Sequence, residues 1–400
     1  MSDIIIPGTG TIVPGYEPFA PIWKILDHYY WGIDHQAVRI CCGAIQAHFM
    51  NLGDPSWIFI VGAPSTGKTV TAIAAATELP EIRLMDDLTP NTFLSGFYGH
   101  DAPGVLENLG GDKNPQQRFD NVWRTQANGI FLWPDWTVML SLPPASRDQI
   151  YGQLRRIYDG SLQKATGTGI TKCWEGRITI VAAVTNAIEL ERRASMGDRF
   201  MSVSWPRCGH EAAVMSLKMH MGKKKIIDAS LKETCKSLFQ VAGCFTEIPK
   251  LSDNQIEVLA RMADFAAHCR ADVKRSGYGG ELLTRPDPEG PPRIAQNITM
   301  MAIGVATMYR RTHLSEREVF DAMRLGFDSI PRDRGNVIQG LLRGQMLSQI
   351  ELNDSLKARA YTDLCELGIL DQQERFTKKA NDMLDVIGRE TFTRLGKDVS

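Results

Sequence analysis

Gly62-Ala63-Pro64-Ser65-Thr66-Gly67-Lys68-Thr69 fills every fixed position of the phosphate-binding pattern G-x-x-x-x-G-K-[ST]. Its flanks suit that pattern. Trp57 to Val61 is a continuous apolar run that predicts a buried strand, and Val70 to Leu79 is rich in Ala and Thr at helical spacing, so the loop joins a strand to a helix. The first backbone donors of a helix have no intrahelical partner and carry partial positive charge, which aims them at phosphate. Gly62 to Val70 are therefore predicted to cradle a nucleotide, with Lys68 reaching its β and γ phosphates and the Thr69 hydroxyl holding Mg²⁺. ATP and Mg²⁺ are the expected cofactors, and a plain surface glycine loop is the alternative reading.

Outward from the loop, apolar runs at Ile82 to Met85, Ile130 to Trp133 and Ile178 to Val184 predict further strands with helices between them. Such alternation predicts an α/β fold, a parallel sheet flanked by helices. Upstream, Val38, Cys41, Ile45 and Phe49 recur at helical spacing behind an Asp34 cap, and the Gly- and Pro-rich stretch from Met1 to Tyr16 reads as an extended arm. Beyond Pro206 the pattern is helical only. Ser252 and Gln255 form a capping box, Ile256, Leu259, Met262, Phe265, Cys269 and Val273 trace one face, and after a linker from Gly277 to Pro292 a second face runs Ile294, Ile298, Ala302, Val305, Tyr309. Gln345 to Ile387 reads as helix, turn, helix and a short strand pair, the second helix running from Ser355 to Leu367 and ending at Gly368, which suits a winged-helix unit. The expected division is an arm and linker over 1–33, a nucleotide-binding core over 34–206, a helical lid over 207–330 and a winged-helix-like unit over 331–400.

Composition narrows the partners. The chain has 400 residues, 43% hydrophobic and 23% charged, with a net charge of -1, so contact with nucleic acid would depend on local patches. Eight cysteines without a paired C-x-x-C spacing argue against a zinc ribbon or disulfide framework and for a reducing cytoplasm; Cys208-Gly-His210 alone offers too few metal ligands. No signal peptide and no run of membrane-spanning length is read, so a membrane partner is not expected.

Hydrolysis at a phosphate loop needs an acid at the end of a neighbouring strand, and usually a second carboxylate to activate water. Asp135 supplies one acid, but Trp136 stands where the second normally lies. Asp135 can be read either as the metal acid or as the water-activating one; in the first case Asp86 and Asp87, which end a strand expected beside its own, are candidates to help, against a solvated turn. Asn186, closing the Ile178 strand, is placed to reach the γ-phosphate or the lytic water, or else caps a helix. Arg199 can stabilise transition-state charge, with a surface salt bridge as the alternative.

The order of these parts resembles an AAA+ ATPase: phosphate loop, acidic strand, Thr185-Asn186 strand end, Asp198-Arg199-Phe200, helical lid, and Arg293 opening a late helix. Within that family it is most similar to the helicase-type clade of minichromosome-maintenance (MCM) helicases and their phage and mobile-element relatives, through Leu94-Ser95-Gly96-Phe97, a helix and hairpin over Ile150 to Lys172, and Gly197-Asp198-Arg199-Phe200. Trp136 and the lack of an amino-terminal DNA-binding domain depart from the clade. The resemblance implies a homo-oligomeric ring, with a hexamer expected, Arg199 supplied in trans and Arg293 as the lid's second-sensor arginine. It also implies DNA contact by hairpin residues Lys164 and Lys172, while Lys357 and Arg359 are candidates on the winged helix, which can equally dock a protein. Lys223-Lys224-Lys225 reads as a solvated face. The expected function is an ATP-hydrolysing DNA helicase or translocase of a phage or mobile element, working with a replication partner in the host cytoplasm. A non-translocating switch, such as a helicase loader or transposition regulator, and a MoxR-type protein remodeller are the alternatives.

Overall fold

Five consecutive apolar residues, Trp57–Val61, form the strand β1, buried on both faces. The computed structural model describes residues 16–69, 81–95, 103–109, 117–119, 122–167, 169–191, 199–219, 222–276 and 281–395. The strands that follow are β2 (Ile82–Leu84), β3 (Gln117–Phe119), β4 (Val122–Gln126), β5 (Gly129–Trp133), β6 (Ser161–Ala165), β7 (Thr171–Glu175), β8 (Ile178–Val184) and β9 (Phe200–Ser204). A five-stranded sheet has the order β2-β5-β8-β1-β9, parallel throughout. This is the α/β arrangement expected from the alternating apolar runs. Val61 lies opposite both Val184 and Ser204, and Trp133 opposite Ala182, so these strands end along one edge. A second sheet, ordered β3-β4-β7-β6, contains the β6/β7 hairpin.

Side chains alternate across a strand, and the sheet uses both faces. Trp57, Phe59, Phe131, Trp133 and Phe200 enter one apolar cluster, together with Ile150, Tyr151, Leu154 and Ile157 of a helix over Pro144–Tyr158. Ile58, Ile60, Leu132, Val181 and Val203 enter the other, which takes in nearly all the remaining helices. In chain order the helices are α1 (Ala20–Tyr29), α2 (His35–Phe49), α3 (Thr137–Leu140), α4 (Pro144–Tyr158), α5 (Ile188–Glu191), α6 (His210–Met219), α7 (Lys224–Gly243), α8 (Asp253–Arg270), α9 (Pro292–Met308), α10 (Glu316–Asp328), α11 (Arg332–Leu342), α12 (Asp354–Glu366), α13 (Lys378–Ile387) and α14 (Arg389–Leu395). Asp34 caps α2 by accepting from the Ala37 N–H at 2.9 Å, and Ser252 and Gln255 form the capping box of α8. The stretch read as arm and linker contains α1, whose Ile22 and Leu26 are buried with the preceding Phe19.

The helices after Pro206 are locked to the sheet by close approach and by charge. Gly43 and Gly304 let α2 and α9 cross with backbones nearly touching: a Cβ on Gly304 would lie 2.0 Å from the Gly43 carbonyl oxygen. Along the edge strand β9, Ser202 N–H donates to Ser329 Oγ at 3.0 Å and Ser204 N–H to Asp328 Oδ2 at 2.8 Å, so α10 satisfies donors that an open edge would expose. Arg324 of α10 is 1% exposed. It donates to Asp34 Oδ1 at 2.8 Å, Asp328 Oδ2 at 3.2 Å, Gln36 Oε1 at 3.0 Å and the Ser204 carbonyl at 3.0 Å.

The carboxyl-terminal helices share the same apolar cluster and differ from a winged helix. Helix α12 ends as expected at Gly368, which adopts φ 69°. Between it and α13, however, the expected strand pair is a single bridge, Leu370 with Phe376, and two more helices follow. Arg334 keys this region to α8 by donating to the carbonyls of Cys269 at 2.9 Å and Ala271 at 2.7 Å and to Asp363 at 2.9 Å.

Removing Arg324 would leave Asp34 and Asp328 buried without their counter-ion. Arg324→Ala should lose about 3–5 kcal/mol in urea unfolding. Burial pushes the Asp328 carboxyl up to about 6, against the pull of Arg324. Its folded form therefore binds its proton more tightly than the unfolded chain. The stability it contributes is fully present below about pH 4 and falls as pH rises through 6. Asp328→Asn should flatten the dependence of unfolding free energy on pH between 4 and 7.

Candidate functional site

Ser65 (φ 59°) and Gly67 (φ 90°) are both in the left-handed region, which curls the loop so that successive N–H groups face inward as an anion nest. Glycine is required at 62 for space, since a Cβ there would lie 2.9 Å from the Cβ of Trp205. Trp205, the first residue after β9, donates its indole N–H to the Thr66 carbonyl at 2.6 Å, and Cys208 Sγ donates to the same oxygen at 3.3 Å. Thr66 Oγ1 donates to the Ala63 carbonyl at 2.8 Å. Lys68 Nζ donates to the carbonyls of Gly62, at 2.9 Å, and Ala63. Burial pulls the Lys68 ammonium below its ordinary pKa, while Asp135 opposes that shift. Lys68 and Thr69 begin a helix, and Thr69 Oγ1 lies 3.4 Å from the Pro134 carbonyl, which ties the loop to the acidic strand end.

Asp135 follows β5 and is exposed; its Oδ1 accepts from the Thr137 N–H at 2.9 Å and so opens α3. The next side chain turns the opposite way. Trp136 is 0% exposed, with its ring centre 4.9 Å from Trp133, 5.3 Å from Phe59 and 5.5 Å from Phe200. A carboxylate at 136 would point into this aromatic cluster, so the missing second acid is a consequence of core packing. Thr185 and Asn186 end β8, which runs between β5 and β1, and Asn186 is half-buried in the turn into α5. Asp86 and Asp87 are exposed and follow β2, which pairs with β5, so two strands separate theirs from the phosphate-loop strand. One edge of the sheet thus gathers Gly62 to Thr69, Asp135 and Asn186. The inward N–H groups, a lysine, a hydroxyl and a nearby carboxylate suit a nucleotide triphosphate with Mg²⁺. Among the described residues no cluster of three His, Cys, Asp or Glu side chains forms a protein-only metal cage.

Arg199 and Arg293 lie at the other edge. Phe200 pairs with Trp57, at the start of both strands, so Arg199, one residue earlier, lies about 20 Å of strand away from the start of the loop at Gly62. Arg199 Nη2 donates to Asp159 at 3.3 and 3.4 Å, and its guanidinium lies 5.6 Å from the centre of the Tyr158 ring. Arg293 lies 5.9 Å from the same ring and pairs with Glu289 at 3.5 Å. Arg293, expected as the lid's second-sensor arginine, therefore lies beside Arg199, with the length of β1 between it and the phosphate loop of its own chain.

The lysines singled out for DNA have other partners. Lys172 is buried and pairs at 2.8 Å with Glu107, which also accepts from the N–H groups of Ser95 and Gly104 at 2.8 and 2.7 Å. Lys164 donates to the carbonyls of Pro90, at 3.2 Å, and Leu94, at 3.1 Å, and to Asn91 Oδ1. Lys164 ties the β6/β7 hairpin to residues 90–94, and Lys172 ties it to Glu107. Lys357 is buried and lies 3.4 Å from Asp354, whereas Arg359 is exposed, as is Lys223-Lys224-Lys225. Val70 to Leu79, Gly96-Phe97 and Gly197-Asp198 lie outside the described residues.

Sequence reasoning missed Trp205, Cys208, Tyr158 and Glu107. Their roles depend on contacts 12 to 142 residues away in the chain. Glu107 alone left a local signal, an acid within an apolar stretch.

No protein-family model matches this chain, and no curated protein matches its sequence significantly. Among solved structures it is similar to one named "a putative ATPase from Cytophaga hutchinsonii", 11% identical, with 87% of this chain and 94% of that chain covered and a TM-score of 0.41. A similarity that weak carries no functional argument. No helix among the described residues is long and apolar enough to cross a membrane.

Breaking the buried Lys172–Glu107 pair should destabilise the fold. Lys172→Ala is expected to cost about 3–5 kcal/mol in chemical denaturation. Unchanged stability would return Lys172 to the surface.

Proposed function

We propose that this chain is a Mg²⁺-dependent ATPase of the AAA+ kind, working between the subunits of a homo-oligomeric ring, with six copies the expected number. One observation carries the reading: the phosphate loop, Asp135 and Asn186 occupy one edge of the sheet, while Arg199 and Arg293 occupy the other. A neighbour's arginines would complete the site. ATP with Mg²⁺, when bound, supplies the phosphoanhydride that is cleaved. Lys68 would exchange the Gly62 and Ala63 carbonyls for phosphate oxygens, and Thr69 and Asp135 would hold the metal and its waters. Asn186 would orient the attacking water, and the arginines would offset charge developing on the transferred phosphoryl group.

Burial of Trp136 favours a slow, non-translocating switch over a fast motor, because Asp135 has no acidic neighbour beside it. The internal partners of Lys164 and Lys172 weigh against DNA contact by the hairpin lysines, Lys357 is buried, and Arg359 is exposed. DNA and a replication protein stay as partners for a switch that assembles on DNA. A MoxR-like remodeller is the reading if DNA has no effect.

Lys68→Ala should lower ATP turnover at least a hundredfold while leaving the fold intact by circular dichroism. Arg199→Ala should lower turnover similarly but retain nucleotide binding. Mixing the two variants should restore part of the activity, since mixed rings contain intact sites. Unchanged turnover in Lys68→Ala would overturn the nucleotide assignment, and no recovery on mixing would overturn the intersubunit one. ATPase rates with and without single- and double-stranded DNA, and particle imaging with a slowly hydrolysed ATP analogue, test the DNA and ring readings separately.

A further inference from the structure

Arg199 and Arg293 come from distant parts of the chain and share one aromatic ring. Their guanidinium carbons lie 5.6 and 5.9 Å from the centre of Tyr158, at the end of α4. That ring is fixed from behind: Trp57 of β1 packs edge-on against it at 5.1 Å, and Asn297 Nδ2 donates to its phenol oxygen at 3.1 Å. The arginines on it are held loosely. Arg199 contacts Asp159 at 3.3 and 3.4 Å, and Arg293 contacts Glu289 at 3.5 Å. Charge-assisted bonds normally run about 2.7–2.9 Å. Arg39 reaches Asp321 at 2.6 and 2.7 Å, and Arg334 reaches Asp363 at 2.9 Å, so arginines with a structural role in this chain do achieve that length. Arg199 Nε is buried with no hydrogen-bond acceptor among the described residues. The Asp159 side chain is 46% exposed, so water can solvate it when Arg199 leaves. Two cations thus share one ring, each with a carboxylate beyond the usual charge-assisted length, and Asp54 also acts on the phenol, so an incoming anion would have to displace partners that are held weakly.

We propose that Tyr158 is a positioning residue that presents Arg199 and Arg293 as a pair to the phosphates bound by a neighbouring copy, and that Asp159 is the counter-ion Arg199 exchanges for those phosphates. The inference rests on the intersubunit reading above and adds what prepares the arginines for it. The ring face attracts both guanidinium groups without binding either in a fork, so they stay aligned yet free to turn toward an incoming anion. Asp159 opposes assembly by competing for Arg199 in the separate protomer.

Turnover measured against protomer concentration and against ATP concentration separates these roles. Tyr158→Leu, which removes the ring, should lower kcat at least tenfold, while a fluorescent ATP analogue binds dilute protomers as tightly as before. Tyr158→Phe, which keeps the ring, should stay within about twofold of the unaltered protein. Asp159→Asn should lower the protomer concentration for half-maximal turnover at least threefold. If Arg199→Ala lowers turnover but Asp159→Asn leaves that concentration unchanged, or Tyr158→Leu keeps its kcat, the positioning proposal is overturned while the intersubunit site stands. If Arg199→Ala has full activity, the intersubunit reading falls and takes this proposal with it. Should Tyr158→Leu fail to fold, the Asp159→Asn shift decides.

Discussion

Arg324 is the interaction on which the rest of the structure depends. Its guanidinium is buried where the start of α2, the end of α10 and the last residue of β9 meet, and each contributes an acceptor: Asp34, Asp328 and the Ser204 carbonyl. Three segments far apart in the chain are thereby held in one geometry. The residue after Ser204 is Trp205, whose indole fixes the Thr66 carbonyl inside the phosphate loop. A short path of hydrogen bonds thus joins the charge centre of the helical layer to the loop. The arrangement has a cost: burial raises the pKa of Asp328, Arg324 pulls it back, and the second carboxylate, Asp34, adds a smaller push upward. Position, more than net stabilisation, is what such a group supplies: β9 cannot slide without stripping Arg324 of an acceptor.

The opposite face of the sheet sets the chemistry by a different means. Phe59 and Phe200 stack at 3.9 Å, and Trp133 and Trp136 close around them. An aromatic layer of this size fixes the end of β5 firmly, and it takes position 136 for packing. Asp135 is then the one carboxylate that the turn after β5 presents to the loop edge. A site with a single acid can still organise a metal, but it activates water less well than a pair would. On the reading proposed above, the same packing that makes the strand end rigid would limit the rate of hydrolysis.

Much of this was legible in the sequence, and what escaped has a common cause. Trp57–Val61 and Ile178–Val184 coincide with the predicted runs, because strands buried on both faces announce themselves as unbroken apolar stretches. The Asp34 cap, the Ser252 capping box and the buried row Ile294, Ile298, Ala302, Val305, Tyr309 are local patterns, and the structure contains them. Strand β9 has no clear signal, since Phe200-Met201-Ser202-Val203-Ser204 is short and interrupted by two serines; the Ser329 and Asp328 side chains that take up its backbone N–H groups come from the end of a helix, 127 and 124 residues away. Lys164 and Lys172 were read as free because a lysine among Gly and Thr looks solvated. Glu107 and the Pro90 carbonyl, 65 and 74 residues away, decide otherwise. The position of Arg293 beside Tyr158 has no local signal either, as nothing local tells a helix start which end of a sheet it will meet.

The two edges of the sheet differ in a way that bears on assembly. One edge offers the nest of N–H groups, Lys68 and Asp135; the other offers Arg199 and Arg293 on Tyr158. Complementary surfaces on opposite sides of one molecule cannot satisfy each other within the chain, because a strand's length separates them. A contact that joins unlike patches is heterologous, and repeating it gives a closed ring when the rotation per subunit divides the circle, or an open helix when it does not. If the ring proposed above forms, the fold of the protomer and the symmetry of the assembly are one problem. The parallel sheet places the acceptors of phosphate at one end of every strand and leaves the other end for the residues that a neighbour would receive.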